Sequence, residues 1–335
     1  ATVANPLAGT AYKLLMGHAS DGPLFVQGPN RALDPKTFKE LDLGEAAKGG
    51  RGLGGIWNNG RNSVQMNISA DGRVLAWHNQ GSSPSGLSTV VLGPGGSKAH
   101  YEHDTVGALR PGPDGTLFTA AGLFTPELKP IGEKTMYQYW HHAPVPAAHG
   151  KMYLSVAPDD TFGTGRAAPK VSLKMAGENK PLVDLSGWAG LDVPKDHNQT
   201  MATGLQLHDR VFLVPDAKAA AVLHATGNKV TIHALDLEAL LTKAGVDYLF
   251  VVSRPPAAVR GEVFGYKPEV KSKKGGVKVK LDAGPDGMKV AADGTVTWDV
   301  PKDFDEATVS VILTVSDSSG QETFHSFTLP VAPHP

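Results

Sequence analysis

The sequence predicts an all-β protein in two parts. Three observations carry this expectation. A pair of small or acidic turn residues recurs just before short apolar runs. Glycine at 39 and proline at 25, against 41% hydrophobic residues, suit short strands joined by many turns. Only one stretch has convincing helical spacing. At 335 residues the chain is about twice the usual domain size, which argues for two domains.

Taken in order, the turn pairs are Asp21-Gly22 before Pro23 to Val26, Asp71-Gly72 before Arg73 to Trp77, and Asp114-Gly115 before Thr116 to Phe118. Looser copies are His149-Gly150 before Met152 to Leu154, and His208-Asp209 before Val211 to Val214. Asp-Gly tolerates the positive φ angles of a tight turn, so each copy reads as a hairpin. A second hairpin follows in two places, turning at Asp34-Pro35 between Ala32 and Leu41, and at Thr125-Pro126 between Leu123 and Pro130. Two successive hairpins make a four-stranded sheet, and copies about 35 to 60 residues apart suggest stacked repeats.

This rhythm resembles the β-propeller class that includes quinoprotein-like and WD-repeat-like proteins, across residues 10–252. No Trp-Asp dipeptide closes a blade and no quinone signature stands out, so the resemblance implies a fold of about five blades and no particular subfamily. Residues 1–9 read as a lead-in segment. The unequal spacing leaves room for an incomplete propeller, completed by an N-terminal part of a longer parent chain or by a second chain. The start at Ala1 rather than Met points the same way.

The helical stretch is Asp236 to Ala244, with Asp236 as a cap, Leu237, Leu240 and Leu241 on one face and Gly245 as the stop. Tyr248 to Val252 then reads as a buried strand, and Ser253-Arg254-Pro255-Pro256 as a joint, so the expected boundary lies before residue 253. Beyond it, lysines alternate with valines over Val277 to Leu281, marking one wet and one buried face. Hairpins are expected from Met288 to Trp298, turning at Asp293-Gly294, and from Thr308 to Pro330, turning at Ser318-Ser319-Gly320.

Leu281-Asp282-Ala283-Gly284-Pro285-Asp286-Gly287-Met288, then Asp293-Gly294-Thr295-Val296-Thr297-Trp298 and Pro301, make residues 253–335 similar to a bacterial immunoglobulin-like (cadherin-like) domain family. The resemblance implies a seven-stranded β-sandwich serving as spacer or adhesion module, with no catalytic residues to carry over. Propeller and sandwich together resemble extracytoplasmic bacterial proteins, which implies a periplasmic, cell-surface or secreted location.

Composition narrows the chemistry. Without cysteine there is no thiolate nucleophile, disulfide, cysteine zinc site or iron–sulfur cluster. A net charge of -1 supplies no global pull toward nucleic acid, and no apolar run is long enough to span a membrane. The six lysines between Lys267 and Lys280 alternate with valines and read as a charged sheet edge rather than a nucleic-acid patch.

Among thirteen histidines, His100 and His103 form one dense run and His141, His142 and His149 another. Brought together at one end of a propeller, His100, His103, His141 and His142 would suit zinc or copper, although their spacing matches no metal motif. Asp159-Asp160 and Asp317-Ser318-Ser319 offer oxygen ligands for calcium without the twelve-residue loop. His325 alternates with Phe327 and Leu329 and reads as a packed sandwich residue. Tyr137, Tyr139, Trp140, His141 and His142 concentrate aromatic and imidazole groups in a long stretch without a hairpin, which makes them the candidate partner-binding loop. The resulting expectation is a non-enzymatic recognition or scaffold module for protein or glycan partners, without a required cofactor. The alternative is a metal-dependent enzyme, or an accessory part of one, with the histidine loops at the propeller mouth.

Overall fold

The computed structural model describes residues 13–17, 20, 22–44, 64–79, 84–93, 96–103, 106–113, 115–132, 143–147, 151–157, 170–176, 178, 180–185, 187–191, 207–224, 226–306 and 308–334. The chain divides into two compact units, Ala1–Asp236 and Leu237–Pro335. Both are built mainly from antiparallel β-structure, as expected from the turn rhythm.

Among the described residues, unit 1 holds five sheets in chain order. The first comprises β1 (Lys13–Leu15), β2 (Leu24–Gln27) and β3 (Arg31–Leu33); the second β4 (Val64–Ile68), β5 (Val74–Asn79), β6 (Leu87–Gly93) and β7 (Gly96–Glu102). The third holds β8 (Leu109–Pro111), β9 (Leu117–Thr119), β10 (Gly122–Phe124) and β11 (Pro130–Ile131), and the fourth β12 (Ala143–Pro146), β13 (Met152–Ala157), β14 (Lys170–Met175) and β15 (Val183–Asp184). A helical turn, α1 (Leu207–Arg210), leads into the fifth, made of β16 (Val211–Val214), β17 (Ala219–Leu223) and β18 (Val230–Ala234). Within each sheet neighbouring strands are consecutive in sequence and antiparallel, so each is an up-and-down meander.

The expected turns explain the meanders locally. Between β4 and β5, Ser69 Oγ donates to Asp71 Oδ1 at 2.5 Å and accepts from Val74 N at 2.9 Å, while Gly72 takes φ +75°. That turn also receives the first sheet: a Cβ on Gly17 would lie 2.5 Å from the Ala70 carbonyl, so only glycine permits the approach. After β3, Asp34 Oδ1 accepts from Lys36 N, Thr37 N and Thr37 Oγ1, closing the Asp-Pro turn. The His208-Asp209 copy behaves differently. It lies in the helical turn α1 ahead of β16, and neither residue supplies the glycine of the other copies.

Hydrophobic faces join successive sheets. Leu15, Phe25 and Ala32 of the first pack with Met66, Leu75, Trp77 and Val90 of the second, and Trp77 is thus a packing residue. Val74, Ala76 and Leu87 of the second pack with Leu109, Leu117, Phe124 and Leu128 of the third. Phe118 and Tyr153 meet edge to face at 5.2 Å between the third and fourth.

Unit 2 opens with α2 (Leu237–Lys243), which buries Leu237 and Leu241 and stops where Gly245 takes φ +73°. Its strands are β19 (Leu249–Val251), β20 (Ala258–Val259), β21 (Val263–Tyr266), β22 (Val270–Ser272), β23 (Lys278–Ala283), β24 (Lys289–Val290), β25 (Val296–Asp299), β26 (Thr308–Ser316) and β27 (Glu322–Ala332). Two sheets, ordered β20-β27-β26-β23 and β21-β25-β24, share one core. Strict alternation selects its side chains: Val309, Val311, Leu313 and Val315 point inward from β26, and Phe264 and Tyr266 from β21. Both hairpins expected from sequence are present, as β24–β25 and β26–β27.

The position of the boundary departs from expectation. The second unit begins at Leu237, not at 253, because β19 pairs with β22 and buries Leu249 and Val251 against Val315. A fragment spanning Leu237–Pro335 is therefore expected to unfold cooperatively. It should exceed the stability of a fragment starting at residue 253 by at least about 2 kcal/mol, the worth of burying a large aliphatic side chain. Equal denaturation midpoints for the two would place β19 outside the cooperative unit.

Candidate functional site

In unit 1 the leading strands of successive sheets approach one another, β4 beside β8, β8 beside β12 and β12 beside β16. Among the described residues the backbone joins these segments only by the parallel bridge of Ala147 to Leu213, and side chains link sheets by donating to backbone carbonyls. Lys13 Nζ of β1 donates to the Met66 carbonyl of β4 at 3.1 Å. Asn67 Nδ2 of β4 donates to the Leu109 carbonyl of β8 at 2.9 Å, and Arg110 Nη1 of β8 to the Val211 carbonyl of β16 at 3.1 Å. Arg110 also lies over the Phe212 ring, 5.3 Å from its centroid.

Lys13, Arg110 and Asp209 form the charged junction of this belt. Loss of solvent lowers the pKa of both cations, the Asp209 carboxylate works against that shift in each, and Arg110 adds to the lowering of Lys13. Lys13 nevertheless keeps exposed surface, and Arg110 and Asp209 are half-buried. Next to Asp209, Arg210 is 0% exposed and donates from Nη1 to the Leu223 carbonyl at 2.9 Å, holding α1 to β17.

The sequence-based candidates fall elsewhere. Tyr137, Tyr139, Trp140, His141 and His142 lie outside the described residues, as do His149 and Asp159-Asp160. His100 and His103 are described. His100 is opposite Thr89 in the β6–β7 register, and His103 Nδ1 lies 2.9 Å from the Tyr101 hydroxyl beyond the end of β7. Among the described residues no three His, Asp, Glu or Cys side chains gather as a metal would require. Trp188 stacks on His233, with ring centroids 4.6 Å apart and planes 8° apart, while His233 Nε2 meets the Ala189 carbonyl at 3.0 Å. His224 Nε2 meets Thr231 Oγ1 at 2.7 Å. These imidazoles serve the edge of the fifth sheet.

In unit 2, Asp317 accepts from Ser272 Oγ at 2.7 Å, Ser319 N at 2.9 Å and Ser319 Oγ at 2.6 Å. Its carboxylate is thus occupied by the β26–β27 turn, and the hydroxyl bonds lower its pKa. Five lysines of the lysine-rich edge have carboxylate partners: Lys267 pairs with Asp293, Lys271 with Glu238 and Glu269, Lys273 and Lys274 with Asp247, and Lys280 with Asp282.

His325 packs beside Tyr266 and Phe327, and its Nε2 lies 3.0 Å from the Tyr266 hydroxyl, which also donates to the Ser253 carbonyl at 3.1 Å. Burial pushes the His325 pKa down to about 4. The unfolded chain therefore takes up a proton between roughly pH 6.5 and 4 that the folded protein refuses, so stability is full above pH 6.5 and falls with acidification through that window. The loss by pH 4 is expected to reach at most about 3 kcal/mol. His325→Gln should flatten the pH dependence of unfolding in that range. Hydrogen bonds hold Asp282, Asp293 and Asp317 of the same unit below the usual carboxylate range, Asp293 at about 2, and a slope unchanged in the variant would exclude the histidine as its source.

Compared with protein-family models and with curated proteins, the chain matches none. Among the described residues, no helix is long and apolar enough to cross a membrane.

Proposed function

We propose that unit 1 is a five-bladed β-propeller and unit 2 an immunoglobulin-like spacer, and that together they form an extracytoplasmic recognition module for glycan partners. Five successive meanders among the described residues, with the leading strands of the last four approaching one another in turn, support the propeller reading. A sheet of four strands facing one of three, with β20 parallel to β27, supports the immunoglobulin-like reading.

The observation that carries the functional proposal is the Arg110 guanidinium over the exposed Phe212 ring, where a charged hydrogen-bonding group and an aromatic face are offered together, with Lys13 and Asp209 electrostatically coupled to it. The test is binding of the full chain to an array of cell-envelope glycans, followed by substitution at the junction and, as a control, of surface residues in unit 2. Saturable binding lost only with the junction substitutions is expected. Failure to bind any glycan would overturn the proposal.

A further inference from the structure

We infer that the fifth sheet pairs edge to edge with a second copy of this chain, through a two-fold antiparallel ladder of β18 on β18. β18 is the open edge of its sheet, and its register with β17 runs unbroken from Ala219 with Ala234 to Leu223 with Val230. His224 N donates to the Lys229 carbonyl and Leu235 N to the Lys218 carbonyl, so the odd-numbered residues of β18 turn their backbone groups toward β17. Those of Val230, Ile232 and Ala234 therefore face outward, and among the described residues nothing bonds to them. Val230 is 57% and Ile232 64% exposed, and the contacts of Trp188 and Ala189 with His233 lie on the opposite face, since side chains alternate. The other trailing edges of unit 1 are blunted: Leu33 of β3 bridges to Glu40, β7 carries exposed Lys98 and Glu102, β11 opens on Pro130, and β15 is two residues long. β18 has no proline, lysine, carboxylate or bulge to keep another strand away.

A row of outward amides and carbonyls calls for another strand, and side-chain and charge complementarity select this chain's own. In the two-fold antiparallel ladder Ile232 faces the partner's Ile232, and Val230 the partner's Ala234, so apolar side chains meet at every outward pair. Lys229 then lies beside the partner's Leu235, one residue from the partner's Asp236, and about 20 Å along the strands from the partner's Lys229. A parallel ladder in register would set the two Lys229 side by side, and like charges so placed repel. Lys218 already holds Asp236 at 2.7 Å, so Lys229 gives the pairing its direction more than its affinity. The three outward pairs exchange about six backbone hydrogen bonds. At about one bond per 100 to 200 Å², that corresponds to an interface of about 600 to 1,200 Å², the size of a weak, reversible dimer.

The test is sedimentation velocity of the full chain from about 1 μM to about 1 mM, where a reversible monomer–dimer equilibrium with its midpoint between those limits is expected. Ile232→Lys sets like charges opposite each other at the two-fold axis and should weaken the dimer at least about tenfold. Val214→Lys places the same charge on the same exposed face of the sheet, but on β16, and should leave the dimer constant within about twofold. Circular dichroism checks that each variant is folded, and if Ile232→Lys is not, Val230→Lys takes its place. Raising the concentration should slow hydrogen exchange at the amides of Val230, Ile232 and Ala234, and not at those of Thr231 and His233, which already serve β17. A chain still monomeric at about 1 mM would overturn the inference and leave the edge to a strand of a different protein. A dimer broken equally by Val214→Lys, or one that leaves the three edge amides unprotected, would overturn it as well, because its contact would not be the β18 ladder.

Discussion

Trp298→Ala is expected to cost about 3 to 5 kcal/mol, as truncations of large aromatic core residues do. Trp298 is 1% exposed in the middle of β25, opposite Phe264 in the β21–β25 register. Its ring meets Phe304 edge to face at 5.1 Å, and its indole Nε1 donates to the Asp286 carbonyl at 3.1 Å. Alanine therefore opens a cavity between the two sheets and removes the donor to that carbonyl, two losses that add in the same direction. Set against a total stability of about 5 to 15 kcal/mol, the change takes a large share of what holds unit 2 folded. Trp298→Phe keeps most of the apolar volume and should lose markedly less. Denaturant unfolding of the two variants checks this, and a loss under about 1 kcal/mol for the alanine variant would remove Trp298 from the core.

Phe124→Ala should be as damaging to unit 1, by about 3 to 5 kcal/mol. Phe124 is 0% exposed and packs with Leu109, Leu117 and Leu128 of its own sheet and with Val74, Ala76 and Leu87 of the preceding one. The phenyl ring thus fills space between two meanders that share no ladder, and its removal loosens both. Hydrogen exchange distinguishes this from a local effect: amides of β5 and β6 should lose protection together with those of β9 and β10. Loss confined to the third sheet would show that the two do not share a cooperative core.

Much of the fold was legible because turn chemistry and strand alternation are local. Asp71-Gly72 announces a turn wherever it stands, since glycine alone takes φ +75° there without strain. Thr308 to Pro330 announces a long hairpin because its apolar residues alternate on either side of Ser318-Ser319-Gly320. His208-Asp209 lacked that chemistry and became helical. The strand Leu249–Val251 was visible as a strand, but its allegiance was not: an apolar run does not say which sheet will pair with it.

The candidate site shows the same division more sharply. Aromatic and histidine density drew attention to residues 137–142, whereas Lys13, Arg110 and Asp209 stand singly, separated along the chain by dozens of residues. The available signal was a lone cation in each of two short apolar strands, Lys13 before Leu14-Leu15 and Arg110 after Leu109. Such a residue has two outcomes, solvent or a carbonyl on another sheet, and the local pattern is identical for both. The sequence by itself determined the strands, the turns between them and the inward face of each strand, because these follow from backbone sterics and period-two burial within a few residues. Tertiary structure alone decided that β19 joins the second unit and that Lys13 and Arg110 reach carbonyls on other sheets. Both depend on which distant surfaces meet, and there the free energy comes from burial and Coulomb interaction between segments that no local pattern relates.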